Sequence, residues 1–351
     1  GNTMPRPLYR SASPSLKTLF GSIDGMAKAG IPVFAGSAGS ISVRKNQAGS
    51  EYYVRRHYDG SGRQKETYIG LVGEADDNAV SLREQIKEVK DIQKEVRLLM
   101  REGFQSADAP SYATLASLHL HGVFAAGATL VGSHAFGIIL NQMGVQADAY
   151  ATEDIDVARR EALAFETLPA KAFIDMLRDS GIHFVEVPQL DVRLPSTSFK
   201  QQGKSRFHVD LLVPSSNNEI GLAPVPELQA HATTLPYLAF LLGQTQLSTL
   251  IASEGVCPVR VPVAERFAIH KMMVSQLRTN REAKSDKDIY QAAVLVAALG
   301  DLYPGAIEAA VGDAPVSARR HLQKALPLVM AHLEEHPRAA EELEGAVQAG
   351  K

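Results

Sequence analysis

Residues 15–30 carry Leu16, Leu19, Phe20, Ile23 and Met26 three or four positions apart, which gathers apolar side chains on one helical face. Gly30 and Pro32 then close the run. A first helix is predicted there. After Val33 the texture changes. Glu51-Tyr52-Tyr53-Val54-Arg55-Arg56-His57-Tyr58, a turn at Asp59-Gly60-Ser61-Gly62, and Lys65-Glu66-Thr67-Tyr68-Ile69-Gly70 read as a β-hairpin. Asn78 to Glu102 contains neither Gly nor Pro, and Ile86, Val89, Ile92, Val96 and Leu99 form one stripe among charged residues, so a single long amphipathic helix is predicted. Gly103 to Pro110 is the expected boundary. Ser111 to Arg260 alternates helical and strand texture in the manner of an α/β or α+β domain. A helix over 111–121 leads to an apolar strand, Val123 to Val131, and Gly132-Ser133 opens a helix to Met143. Further strands are predicted at Ile155 to Val157, Phe184 to Val187 and Phe207 to Val213. Val263 to Lys351 is rich in Ala and Leu, with breaks at Gly300, Pro304, Pro315 and Pro337, and reads as a helical bundle. Three units are therefore expected: 1–108, 109–260 and 261–351. No internal repeat or low-complexity tract interrupts them.

Composition narrows the function classes. The 351 residues are 45% hydrophobic and 21% charged, in the range of a folded globular protein. Lys and Arg number 36 against 39 Asp and Glu, a net charge of −3, so no global basic field is present to hold nucleic acid. Such binding would need a local patch. Cys257 is the single cysteine, which excludes an internal disulfide and a cysteine-built zinc site and suits a reducing, cytoplasmic location. No apolar run approaches the roughly 18 residues of a spanning helix, so no membrane partner is expected. Gly1 to Arg10 lacks the pattern of a signal peptide.

Three segments of the middle unit bear candidate chemistry. Gly132-Ser133 falls where a strand turns into a helix, so it is either an ordinary turn and cap or a phosphate site made of free N–H groups and a serine hydroxyl. In Thr152-Glu153-Asp154-Ile155-Asp156-Val157, a strand projects Asp154 and Asp156 from one face and Ile155 and Val157 from the other. Two neighbouring carboxylates repel unless a cation neutralises them, so the pair marks a hard-metal site or else a solvated edge strand. In Phe207-His208-Val209-Asp210-Leu211-Leu212-Val213, Asp210 shares a face with His208 and Leu212 inside an apolar strand, where an acid needs a partner or a metal.

Taken in this order, Gly132-Ser133, Asp154-Ile155-Asp156 and Asp210 resemble the nucleotidyltransferase superfamily built on the polymerase-beta-type palm. The resemblance implies an α+β palm in which the Gly-Ser turn holds the β and γ phosphates of an NTP. It also implies that Asp154 and Asp156 bind two divalent ions, Mg2+ or Mn2+, and that Asp210 binds the catalytic ion and helps activate the attacking hydroxyl. One departure is the 21 positions from Ser133 to Asp154, longer than the common spacing, which reads as a loop insertion around Gly144 to Ala151.

Downstream, Val261 to Met272 opens a helix carrying Lys271 beside Phe267 and Val274, and Lys284-Ser285-Asp286-Lys287-Asp288 opens another with Lys284 and Asp288 one turn apart. Read alone, Lys271 is equally a snorkelling surface lysine. The two segments resemble the helical half of abortive-infection toxin-type nucleotidyltransferases and related bacterial nucleotidyltransferases. This implies that Lys271 contacts the triphosphate while Lys287 and Asp288 support the nucleotide site, and it raises an antitoxin as a partner. His134, His208 and His270 lack metal-ligand spacing and are read either as supporting the site residues or as structural; His119 and His121 are read as incidental. The hairpin's Arg55, Arg56, Arg63 and Lys65 alternate with Tyr52, Tyr53, Tyr58 and Tyr68, a mixture suited to phosphate contact and base stacking or to packing on the long helix.

The expectation is a metal-dependent enzyme that moves a nucleoside monophosphate from an NTP to an acceptor hydroxyl and releases pyrophosphate. The favoured acceptor is RNA such as tRNA. The rivals are a protein or small-molecule acceptor, and a non-catalytic nucleic-acid-binding protein on the same fold.

Overall fold

Ser13 caps the first helix, Pro14–Ala29, through its hydroxyl oxygen, and Pro14 lies in the first turn, where its missing N–H costs nothing. Gly30, at φ 109°, ends the helix in the left-handed region. These details come from a computed structural model that describes residues 6–149, 154–277 and 282–350. The predicted hairpin is a three-stranded antiparallel sheet, Ser40–Lys45, Glu51–Tyr58 and Gln64–Leu71. Its turn is held by Asp59, whose Oδ1 accepts from the Ser61 hydroxyl and N–H and from the Arg63 N–H.

The long helix spans Asp76–Arg101 and divides its apolar stripe between two partners. Ile92, Val96 and Leu99 pack with Phe20, Ile23 and Ala27 of the first helix, while Ile86 and Val89 pack with Ala38, Phe34 and Ile41 of the sheet side. Fixing those two faces leaves the rest of the helix surface to solvent.

Asp108 caps the next helix, Ala109–Leu120, by accepting from the Ser111 N–H. The strand expected over Val123 to Val131 is only Thr129–Val131. Gly122 and Gly127 take positive φ, and Val123 and Phe124 are buried in a turn whose N–H groups bond back to Leu118 and Gly122. An apolar run bounded by glycines thus fills the core without pairing as a strand.

The central sheet runs in the order Gly221–Val225, Ala230–Leu235, His208–Pro214, Asp154–Ala158, Thr129–Val131, with Ser198–Gln201 pairing the start of His208–Pro214 and Phe184–Glu186 pairing Ser198–Gln201. Asp154–Ala158 and His208–Pro214 are parallel, and Thr129–Val131 is antiparallel to the former. Ile155, Val157, Val209 and Leu211 are buried, which turns the alternate positions of both strands outward. Thr152 and Glu153, and the end of the expected insertion at Ala151, lie outside the described residues.

A second antiparallel pair, Thr245–Ala252 and Gly255–Pro262, lies between the first helix and the Ala109–Leu120 and Gly132–Met143 helices. Thr249 donates to Asp24 of the first helix at 2.7 Å. The chain ends in helices Ala264–Ser275, Glu282–Leu302, Ala306–Gly312, Arg319–Met330 and Pro337–Ala349. Ala292–Ala298 is buried all round, so Glu282–Leu302 is the axis of this group. The observed class is a mixed α+β fold. Among the described residues, no helix is long and apolar enough to cross a membrane.

Candidate active site

The register of three strands assembles the site. Asp154 pairs with His208 and Asp156 with Asp210 across the parallel strands, while Val131 pairs with Asp156 on the other side. Asp156 is therefore flanked by Asp210 and by the end of the strand that enters Gly132. Alternation that buries Ile155 and Val209 leaves Asp154 exposed and Asp156 and Asp210 half-buried on the outward face.

Gly132 has φ 77°, and a Cβ placed on it would stand 2.5 Å from Asp156 Oδ2. Backbone and carboxylate approach that closely only where no side chain intervenes. The helix that follows, Gly132–Met143, has no side-chain cap and no acid in its first turn, so the N–H groups at its start and the positive end of the helix dipole are not countered by a side chain there. Ser133 sits half-buried in that first turn.

Charge at the site is unbalanced toward the acids. Burial, then the charges of Asp210 and Asp154, push the Asp156 carboxyl up to about 6, against the opposing pull of Lys271 and His208. His208 lies between two acids, Nδ1 3.0 Å from Asp154 and Nε2 3.3 Å from Asp210. Its hydrogen bond to Asp210 leads the causes that push the imidazole up to about 9, so it is a cation at neutral pH. Nδ1 is also 2.9 Å from the Arg206 carbonyl, consistent with both ring nitrogens donating.

Helices Ala264–Ser275 and Glu282–Leu302 bring the remaining candidates. Lys271 Nζ lies 3.2 Å from Asp288 and 5.3 Å from the centre of the Phe267 ring; the lysine and the aspartate side chains are 13% and 3% exposed. Asp288 therefore faces Lys271 across two helices, whereas the spacing had set it beside Lys284. Burial first, and then Lys271, pull the Lys287 ammonium down, while Asp288, Asp154 and Asp156 oppose this, which places Lys287 in the field of the same acids. His134, next to Ser133, is pushed down to about 4 by burial and is neutral.

The hairpin cations are not gathered with these groups. Arg55 turns inward: its Nη1 donates to the Ser37 and Ala38 carbonyls at 3.1 and 3.0 Å, and its guanidinium lies over the Phe34 ring. Its place is structural. Arg56 is 3.6 Å from Glu66, Lys65 is 3.9 Å from Asp59, and Arg63 is exposed. The sequence places His208 on one face with Asp210, and only the strand register adds Asp154 beside it. The Lys271–Asp288 pair, which has no local signal, was missed.

The donor set on this face of the sheet fits a hard divalent cation. Three carboxylates on adjacent strands supply oxygen ligands, and burial together with the Asp210 and Asp154 charges holds the Asp156 carboxyl up, a cost that a bound cation would offset. Among the described residues, no three His, Cys, Asp or Glu side chains are drawn together as a preformed metal cage. The side chain between Asp154 and Asp210 is instead the imidazolium of His208.

No curated protein and no solved structure matches the chain. A family model described as Nucleotidyltransferase matches residues 111–315, more than half of the sequence. The match begins in the helix before the Gly132 turn and runs through the three acids, Lys271 and Asp288. A sheet face carrying the three acids, beside a glycine turn and a lysine-bearing helix, thus lies whole within that match, and the chain belongs to the nucleotidyltransferase family, enzymes that transfer nucleotidyl groups.

Proposed function

We propose that this enzyme uses divalent metal to transfer a nucleoside monophosphate from an NTP to a hydroxyl of an RNA acceptor, at a polymerase-beta-like palm formed by the central sheet. One observation carries the reading: the Asp156–Asp210 register lies directly against the Gly132 turn, so acids and phosphate-binding backbone meet at one point. The Gly132 and Ser133 N–H groups and the serine hydroxyl hold the terminal phosphates. Lys271 supplies positive charge to the triphosphate, with Lys287 and Asp288 keeping it in place. Asp154, Asp156 and Asp210 would hold two Mg2+ ions, which when bound stabilise charge on the attacking and leaving oxygens. The acceptor oxygen bonds to the α-phosphorus as the bond to the pyrophosphate oxygen breaks. Asp210 orients that hydroxyl and receives its proton.

The test is incubation with each α-labelled NTP and total RNA, with and without EDTA. Label in RNA that requires metal supports the proposal. Label in protein or in a small molecule would move the acceptor, and no transfer from any NTP to any of the three would overturn the reading.

Lys271→Met should raise the NTP Kd by about tenfold or more, since a charge-assisted phosphate contact contributes roughly 1.5–3 kcal/mol. It should also lower stability, because Asp288 is left buried without that lysine. Adding Asp288→Asn should recover stability and leave NTP binding weak. Isothermal titration and urea unfolding separate the two effects, and an unchanged Kd in Lys271→Met would return Lys271 to a purely structural role.

A further inference from the structure

The long helix Asp76–Arg101 carries three separate stripes. Its apolar stripe faces the first helix and the N-terminal sheet. Arg83, Lys87, Lys90, Lys94, Arg97 and Arg101 recur at alternating steps of four and three, and at about 100° per residue they share one face. Glu84, Glu88, Asp91, Glu95 and Glu102 follow one position later, about 100° further round, and form an acidic stripe beside the basic one on the solvent side. The basic row extends over roughly 27 Å at about 1.5 Å per residue. All six cations are exposed, and among the described residues none forms an ion pair. Arg83 lies over the Tyr53 ring.

The middle of that row opens into a cleft. Lys90 and Arg97 form one wall, and Arg56 and Tyr58 with the backbone of Ser37 to Ser40 form the other, around a volume of about 610 Å³. Glu254, at the turn between Thr245–Ala252 and Gly255–Pro262, is the one acid on its lining. His57 also lines it and is held toward its neutral form by burial and by Arg55. Lys90, Arg97 and Arg56, the last shared with Glu66, thus face one carboxylate on the lining. Tyr58 is 56% exposed and offers an aromatic face beside them.

We propose that the basic row and the adjoining cleft are a docking track for single-stranded nucleic acid, with backbone phosphates along the helix and a base against Tyr58. A row of evenly spaced cations next to an exposed aromatic ring suits a flexible strand, which can follow the row and turn a base onto the ring. The protein's net charge of −3 makes such a local row the means of holding a polyanion at all. A membrane surface is a poorer fit, since an interfacial helix sets its apolar face between its cations, and here that face is buried in the fold. This inference rests on the reading of RNA as the acceptor and assigns the surface that holds it. The basic row, Arg56 and Tyr58 lie before residue 111, outside the segment matched by the family model, and the cleft meets that segment at Ser253 and Glu254.

The experiment measures fluorescence anisotropy of a labelled 20-nucleotide RNA with the full chain, without NTP, across a KCl series. If five or six phosphates are neutralised, log K should fall against log salt with a slope of about −4, at roughly 0.7 per contact for a single strand. Lys87→Gln/Lys90→Gln/Lys94→Gln/Arg97→Gln keeps good helix formers at exposed positions and should flatten that slope by about 3, with a tenfold or greater loss of affinity near 100 mM salt. Tyr58→Ala should weaken binding and leave the slope unchanged. Circular dichroism confirms that the variants are folded. An unchanged slope in the quadruple variant, or equal displacement of RNA by polyglutamate, would overturn the proposal. NTP turnover by the same proteins is read separately. RNA binding with no turnover would sink the transfer reading and leave the track standing, whereas turnover with no RNA binding would remove the track alone.

Discussion

Asp156→Asn should lose about 10³-fold or more in transfer rate and, in metal-free protein at pH 7 to 8, unfold at higher urea than the wild type. The two effects have one cause. In the folded protein the Asp156 carboxyl is pushed up to about 6 from a usual value near 3.8, by burial and by the Asp210 and Asp154 charges. A raised carboxyl binds its proton more tightly folded than unfolded, so the ionised form costs stability. The cost is absent at pH values below about 3.8, grows between 3.8 and 6, and is full above 6, where it reaches about 3 kcal/mol at roughly 1.4 kcal/mol per unit. Asparagine removes the charge and its repulsion while keeping the shape. It also removes charge from the proposed metal site, whose ions contribute several kcal/mol to the transition state, about a thousandfold or more in rate. Asp154→Asn should cost a similar factor in rate with a smaller gain in stability, because Asp154 is exposed where Asp156 is half-buried. Wild-type activity in either variant would sink the assignment. Loss of activity together with loss of fold would show that Asp156 is a structural carboxylate.

The period of a strand is local, and this is why Asp154, Asp156 and Asp210 could be placed on outward faces from the sequence: each needed only its immediate apolar neighbours. Which strand lies beside which is not local. The parallel register that opposes Asp154 to His208 depends on residues more than fifty positions apart, so His208 looked like a bystander of Asp210 alone. The same limit hid the pair of Lys271 with Asp288, because neighbours one turn away on the same helix were the visible candidates. The strand pair Thr245–Ala252 and Gly255–Pro262 was missed for a different reason. Leu250-Ile251-Ala252 and Val256-Cys257 are buried continuously between helices and sheet, so the alternation that marks a half-exposed strand is blurred. Arg55 and Arg56 show the reverse error. Adjacent residues in a strand face opposite ways, yet composition counted both as surface charge, and Arg55 went to the backbone of Ser37 and Ala38. The long helix itself was plain from its apolar stripe, and its division of charge onto separate faces followed once the buried face was known.

Gly132→Ala should abolish transfer and destabilise the fold, and the two losses should respond differently to a second change. An alanine at φ 77° meets left-handed strain of about 1–2 kcal/mol, whatever surrounds it. It also places a methyl group 2.5 Å from Asp156 Oδ2, so either the carboxylate rotates away or the turn shifts. Overpacking of this kind adds about 1–3 kcal/mol. Combining Gly132→Ala with Asp156→Ala removes the oxygen and leaves only the Asp156 Cβ at 3.6 Å, an ordinary contact. The double variant should therefore be more stable than the sum of the two single changes predicts, by a coupling of about 1–3 kcal/mol, while the backbone strain remains. Activity should not return, because the turn and the carboxylate are both needed. Ser133→Ala is the control: it deletes a hydroxyl and keeps the backbone N–H, so it should weaken NTP binding without the stability loss. Urea unfolding of the four proteins of the cycle gives the coupling directly. A strictly additive result would mean that the Gly132 turn does not press on Asp156, and a fully active Gly132→Ala would remove the turn from the phosphate site.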